Sequence, residues 1–262
     1  MIKKLNSIFI GGKNLGYSCL DHLIKKKLAP KYVAANRDDT GKDNAFSKSL
    51  IKLAKINKIK VVKLEKLYRK IINDKYKIDI IFCIGSTMIL PKKILKLPIL
   101  GTLNIHPSLL PNFRGRYSIP HAIFENKKYT GLTGHWISEK IDTGKILFLK
   151  KIIINDDDTA ETIYKKFTKY AFKEFKIFLI KILKNRKNLI KNIKIKQGNY
   201  RVKSLPNNGE LDWNWSGKKI FNFIRSMVHE PFPPPTVRIG KKTYYILSKK
   251  YINKKKFLKS PL

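Results

Sequence analysis

The sequence predicts an α/β fold, a mostly parallel sheet flanked by helices, with a small C-terminal subdomain. Three observations carry that expectation. The first hundred residues alternate short apolar runs with longer Lys-rich periodic segments, as βα units do. Ile78–Ile84 sets six apolar residues around one Asp, which suits a strand buried on both faces. No run approaches the roughly 18 apolar residues of a membrane span, because Lys breaks every candidate, Ile177–Leu183 included.

Taken in order, Ser7–Ile10 reads as a strand running into the Gly11-Gly12-Lys13-Asn14 turn and a helix to about Lys27. Tyr32–Ala35 is a second strand, followed by the turn-rich Asn36–Asn44, a helix over Ala45–Ile56 and a strand at Lys60–Val62. Strands follow at Ile78–Ile84 and, after Pro98, at Leu100–Ile105. Pro107–Arg116 holds two prolines, a glycine and two arginines and reads as irregular. After a short helix, Thr130–Ser138 and Ile146–Ile154 look like antiparallel strands joined through Asp142-Thr143-Gly144. Asp158 and Glu161 suit a capping box for a long helix carrying Ile163, Phe167, Tyr170, Phe175, Phe178 and Ile182 at helical spacing. The expected division is a Rossmann-like core over 1–185, a basic linker over 186–198 and a subdomain over 199–262. That tail contains Leu211-Asp212-Trp213, a helix around Lys218–Val228, a Pro-rich stretch and a Gly240-Lys241 hairpin, with Trp213 and Trp215 expected to pack it onto the core.

The net charge of +39 invites a nucleic-acid or membrane-surface reading. Only 8 of the 57 basic residues are Arg, however, and the Lys are spread along the whole chain. Lys, Ile and Asn all have A/T-rich codons, so a base bias accounts for the charge without a selected binding face. Recognition surfaces favour the bidentate fork of Arg. Two distant cysteines, Cys19 and Cys83, sit in apolar runs; they exclude a disulfide scaffold or a Cys-based zinc site and fit a reducing cytoplasm. The apolar part of the N-terminus is too short for a signal peptide. A cytoplasmic protein without membrane insertion is expected.

Ligands of α/β sheets bind at the carboxyl ends of the strands. Asn104, His106 and Ser108 lie at and just past such an end, on one side if the chain stays extended, which Pro107 favours. Each feature alone has an ordinary reading: a strand-end His more often packs than catalyses, and Asp-Thr-Gly is usually a turn. The triplet also matches the aspartic-protease motif, but that chemistry needs two carboxylates and there is no second copy.

Together, Asn104-Ile105-His106-Pro107-Ser108-Leu109-Leu110-Pro111, then Arg114-Gly115-Arg116, then Asp142-Thr143-Gly144 form a specific string. It resembles the 10-formyltetrahydrofolate-dependent formyltransferase family over about residues 1–185 and, more loosely, in the tail. The resemblance implies Asn104, His106 and Asp142 as catalytic residues and 10-formyltetrahydrofolate as co-substrate, with no metal. Asn104 would donate to a tetrahedral oxyanion, His106 would donate or take the amine proton, and Asp142 would orient the imidazole. The pterin would lie against main chain of Ser86, Thr87, Met88, Ile89 and Leu90 on one side, and of Ile137, Ser138, Glu139 and Ile141 on the other. Substrate contacts would come from Asn14, Ser108, Arg114, Arg116 and Tyr117; for Ser108, holding the loop is an equal alternative. Gly11-Gly12 lacks the spacing of a dinucleotide fingerprint, so NAD is not expected. His22, His121, His135 and His229 show no partner and read as structural.

Three acceptors compete within the resemblance. Glycinamide ribonucleotide enzymes normally lack such a tail and have a different phosphate loop. Methionyl-tRNA enzymes fit the charge, but their tails are longer, and Asn36–Asn44 carries three Asp against two cations where a basic insertion is expected. Nucleotide-sugar enzymes, acting on a dTDP- or UDP-linked 4-amino or 3-amino deoxysugar for surface polysaccharide, keep the core and a shortened tail. Arg114 and Arg116 would suit their diphosphate. That reading comes first and tRNA second, with a degenerate basic binding module as the non-enzymatic alternative. Such tails sometimes mediate dimers in the family, so the Gly240 hairpin is a candidate contact with a second copy.

Overall fold

The computed structural model describes residues 5–185, 200–201, 204–230 and 232–247. The expected linker lies outside the described residues. The first half alternates β1 (Ser7–Gly11), α1 (Lys13–Lys25), β2 (Tyr32–Ala35), α2 (Leu50–Ile56), β3 (Lys60–Val61), α3 (Leu64–Asn73), β4 (Ile80–Ile84), α4 (Lys92–Leu95) and β5 (Gly101–His106). There follow β6 (Arg114–Gly115), α5 (Ser118–Phe124), β7 (Tyr129–Trp136), β8 (Ile146–Ile153) and α6 (Ala160–Lys184). The tail holds β9 (Tyr200–Arg201), β10 (Glu210–Leu211), α7 (Gly217–Met227), β11 (Thr236–Ile239) and β12 (Lys242–Tyr245).

Seven strands form one sheet in the order β3-β2-β1-β4-β5-β7-β8. The first five are parallel, and β7 and β8 join antiparallel. Chain order reverses between β1 and β4, which makes their carboxyl ends the switch point where α/β sheets bind ligands. The alternation of the strands explains their apolar character. Phe9, Phe82, Leu103 and Ile105 face α1, α2 and α6, whereas Ile8, Ile10, Ile81 and Cys83 face α3 and α4. Phe175 of α6 is fully buried edge-on to Phe82; truncating it to Ala would cost about 3–5 kcal/mol.

Several boundaries differ from the expectation. Helix α2 starts at Leu50, not Ala45, because Asn44 turns the chain by accepting from the N–H groups of Phe46 and Ser47. Ser49 then caps the helix. Asp39 accepts from Gly41 N–H, Ser49 Oγ and Leu50 N–H, and Asp43 accepts from Ser49 N–H and Lys52 Nζ. Two of the three aspartates of the Asn36–Asn44 loop are therefore spent folding it, and the loop presents less acid than its composition suggests. Helix α3 has no counterpart in the sequence reading, though Leu64, Leu67 and Ile71 follow helical spacing. The box that starts α6 is Thr159 with Thr162, not Asp158 with Glu161. Asp158 instead accepts from Asn155 N–H, Thr162 Oγ1 and Lys166 Nζ.

The tail builds a small apolar cluster of Leu211, Phe223, Met227 and Val237, with Trp215 and Phe124 of α5 packed against it. Buried Arg225 ties it to the core by donating to the carbonyls of Asn155 and Asp158. Trp213 does not join: it is 63% exposed, because the turn after β10 carries it outward while Trp215 turns in. Among the described residues no helix is long and apolar enough to cross a membrane.

Candidate active site

Strand β5 carries its polar residues to the carboxyl edge of the sheet. Asn104 is half-buried and His106 buried, while Leu103 and Ile105, which alternate with them, enter the core. Ser108 continues the series but not its role. Its hydroxyl is buried and donates to the Asn112 carbonyl at 2.7 Å, so it holds the loop. The loop is also stapled to β7, since Thr133 Oγ1 donates to Ser108 O and accepts from Leu110 N–H. The stretch expected to be wholly irregular contains β6, whose Arg114 and Gly115 pair with Tyr200 and Arg201 of the tail.

His106 donates from Nε2 to the Phe113 carbonyl at 2.9 Å; a carbonyl only accepts, so Nε2 carries the proton. Nδ1 faces Asp142 Oδ2 at 3.4 Å. Asp142 sits on the β7–β8 loop in the left-handed region at φ 50, and its Oδ2 accepts from Gly115 N–H at 2.8 Å. Gly144, two residues on, is required, since a Cβ there would lie 1.6 Å from the Trp136 carbonyl oxygen. Burial works against the Asp142 carboxylate, but the positive charge of His106 and His135 when they are protonated, together with the Gly115 N–H, overcomes it and holds its pKa well below the usual carboxylate range. Burial pushes His106 below the ordinary imidazole value, and its neighbour His135 adds to that, against the pull of Asp142 and the Phe113 carbonyl.

His135, read as structural from the sequence, belongs to this site. It stands opposite Asn104 in the antiparallel β5–β7 register, which puts both side chains on one face. Its Nδ1–H donates to the Trp136 carbonyl at 3.0 Å, so Nε2 accepts from Asn104 Nδ2 at 3.2 Å and lies 3.5 Å from Asp142 Oδ1. An irregularity in the β7–β8 register falls at Gly134/His135, where such features commonly re-aim a side chain beside a site. The signal existed in the sequence, but only after pairing β7 with β5. The other three histidines, read as structural, have neighbours of their own. His22 and His229 pack on aromatic rings, and His121 Nε2 donates to the Ser204 carbonyl.

The remaining expected residues separate into two groups. Arg114 is half-buried and Arg116 exposed; the Arg116 guanidinium lies 5.4 Å from the Tyr117 ring, which packs on Phe232. Arg116 and Asp38 are electrostatic neighbours of Lys13 at the start of α1. Asn14 departs from its expected role. Its Nδ2 donates to the Phe46 carbonyl and its Oδ1 accepts from Lys48 N–H, so the side chain clips the loop before α2 to α1. On the folate side, Met88 is half-buried, Leu90 buried in the core and Ile89 81% exposed. Ser86 Oγ accepts from Met88 N–H and Thr87 N–H donates to Asn36, while the N–H groups of Ile89 and Leu90 meet no acceptor among the described residues. Across from them Ile137 N–H donates to Thr102 O, Ser138 bonds Thr143, Glu139 pairs with Lys92, and Ile141 is exposed. Both cysteines are buried and free; burial pushes Cys83 up to about 12, so it is no nucleophile. Among the described residues no group of three or more His, Cys, Asp or Glu could hold a metal ion.

Comparison with known proteins places this arrangement. A family model described as formyl transferase matches residues 32–178, which include Asn104, His106, His135 and Asp142. GDP-perosamine N-formyltransferase of Brucella melitensis is 32% identical over 65% of this chain and 64% of its own. Methionyl-tRNA formyltransferase of Mycoplasma capricolum is 31% identical over 97% of this chain and 80% of its own. The N-formyltransferase from Helicobacter canadensis, solved in complex with folinic acid and dTDP-3-aminofucose, superposes with a TM-score of 0.74 at 26% identity, covering 90% of this chain and 85% of that one. The chain spans only part of some curated relatives, 34% of one and 64% of another. With a family model over more than half its length and relatives matched nearly end to end, the chain belongs to the formyl transferase family.

Proposed function

We propose that this protein transfers the formyl group of 10-formyltetrahydrofolate to the amine of a nucleotide-linked amino deoxysugar, in the cytoplasm, for surface polysaccharide. The observation that carries the reading is the cluster of Asn104, His106, His135 and Asp142 at one edge of the sheet. Attack of a neutral amine on a formyl carbon creates a tetrahedral oxyanion and releases a proton. Asn104 spends one amide N–H on His135 and keeps the other for the oxyanion. With Nε2–H committed to Phe113, Nδ1 is the basic atom of His106; it takes the amine proton, directly or through one water. Asp142, facing that atom, stabilises the imidazolium so formed, and as the intermediate collapses the formyl carbon–N10 bond breaks and that proton passes to N10, releasing tetrahydrofolate and the formylated amine.

The formyl donor suits the switch point beside this cluster. Free N–H groups at Ile89 and Leu90, next to the Met88 side chain, fit the edge and face of a flat hydrogen-bonding heterocycle. Arg114, Arg116 and Tyr117, with Lys13 across the mouth, suit a diphosphate. The sugar reading is supported by the Brucella and Helicobacter enzymes. Exposed Ile239, Tyr244 and Tyr245 on the β11–β12 hairpin offer a contact to a second copy.

Methionyl-tRNA remains a second reading on two observations: the Mycoplasma enzyme matches 97% of the chain, and Asp39 and Asp43 are consumed inside the loop that had counted against RNA. The experiment offers 10-formyltetrahydrofolate with a panel of nucleotide-linked amino sugars, and Met-tRNA in parallel, reading product mass with His106→Ala as control. A formylated sugar that disappears in the variant supports the first reading; formylation of tRNA alone replaces it with the second. Folate binding without turnover on any amine, unchanged in Asp142→Asn, would favour a binding module.

A further inference from the structure

The switch point between β1 and β4 is crossed by one side chain that the reaction does not use. Asn36, the first residue after β2, is 4% exposed. Its Nδ2 donates to the Gly85 carbonyl at 3.0 Å, and its Oδ1 accepts from Thr87 N–H at 3.0 Å. Both ends of the amide therefore grip the main chain on either side of Ser86, at the segment assigned above to the formyl donor. The other wall is pressed against the same group: a Cβ on Gly12 would meet Asn36 Nδ2 at 2.8 Å. Gly11 at φ 137 and Gly85 at φ 64 have no room for a side chain either, since their Cβ atoms would lie 2.0 Å from the Ile84 carbonyl oxygen and 2.3 Å from that of Gly12. The ends of β1, β2 and β4 thus interlock around one amide.

Such an amide does more than fill space. By occupying Thr87 N–H and the Gly85 carbonyl, Asn36 fixes which main-chain groups of the segment remain for a ligand. Those remaining include the N–H groups of Ile89 and Leu90, three and four residues past the gripped carbonyl's neighbour Ser86. Resting on the functional reading above, we propose that Asn36 is a positioning residue for the folate co-substrate: it sets the conformation of residues 85–88, and through it the donors at 89–90, without touching the reacting atoms.

Equilibrium binding of 5-formyltetrahydrofolate to the full chain, followed by calorimetry, tests this directly, with steady-state kinetics and melting temperature on the same samples. Asn36→Ala is expected to weaken folate binding about tenfold or more and to raise the folate KM alike, with the amine KM and kcat nearly unchanged. Asn36→Asp keeps the acceptor for Thr87 N–H but sets an oxygen against the Gly85 carbonyl; it is the variant to use if the alanine form does not fold, and the same split is expected. Gly12→Ala, extended at φ 167 and so free of backbone strain, should weaken folate binding in the same direction by crowding the amide. Folate affinity unchanged in folded Asn36 variants would overturn the proposal while leaving the functional reading intact. Failure of the unaltered protein to bind folate would overturn both, and equal losses in folate and amine KM would assign Asn36 to general stability instead.

Discussion

The two walls of the site are built by opposite means. The corner proposed for the chemistry, at β5, β7 and the loops around Gly115 and Asp142, is made of side chains that hold one another and their loops: Asn104 donates to His135, both imidazoles lie against Asp142, and Ser108 and Thr133 fasten the loop. The switch-point corner, at Gly11–Gly12, Asn36 and Gly85–Leu90, is made of main chain, with glycines where a Cβ would collide and one buried amide holding it. The first arrangement suits a reaction, because charge and protons need side chains of chosen basicity. The second suits recognition of a flat heterocycle, because main-chain groups present donors at fixed spacing with little entropy left to lose. Substitutions in the first corner should change turnover, and those in the second should change affinity.

The largest expected effect is at His106. Its replacement by Ala should lower kcat by about 10³-fold, within the usual span for a general base, while folate still binds. Asn104→Ala, removing an oxyanion donor, should cost about 10²-fold in kcat, measured by the same assay. Gly144→Ala breaks the comparison from the structural side. The collision with the Trp136 carbonyl must move the loop that carries Asp142, so a loss of about 2–4 kcal/mol in denaturant unfolding should come with loss of turnover.

A smaller effect is in the pH profile. Burial holds His106 below the ordinary imidazole value, so its base form survives to lower pH and the acid limb of kcat/KM should fall below about 6.5. Asp142 pulls His106 upward; Asp142→Asn should therefore move the limb further down while reducing kcat. A limb at or above the ordinary value would show that another group takes the proton. The smallest effect is expected at His135, where Gln keeps an acceptor for Asn104: kcat should fall only about tenfold, and less than in His135→Ala.

The same contrast governs what the sequence makes legible. Alternation puts Asn104 and His106 together at a strand end, but their roles and that of Asp142 come from the resemblance of the whole string, because each alone has an ordinary reading. His135 was hidden because its membership depends on which strand lies beside β5, a long-range pairing that local pattern does not carry. Ser108 takes the loop-holding reading, one of its two, and the polar atoms of Asn14 are taken up by the loop before α2. The parallel core was readable from its two-sided apolar runs; α3 kept a helical period at Leu64, Leu67 and Ile71 that went unread, and the start of α2 was hidden by the Asx turn at Asn44. Asn36 illustrates the limit: it looks like an ordinary turn residue until the carboxyl end of β4 lies against it.

The separation of chemistry from recognition is tested most directly by one pair of numbers on His106→Ala: its dissociation constant for 5-formyltetrahydrofolate and its turnover on the best amine found. Affinity within about threefold of the unaltered protein, with turnover down about 10³-fold, is the expected result. Affinity lost in step with turnover, or turnover retained, would contradict the division of the site into a reacting corner and a recognising one.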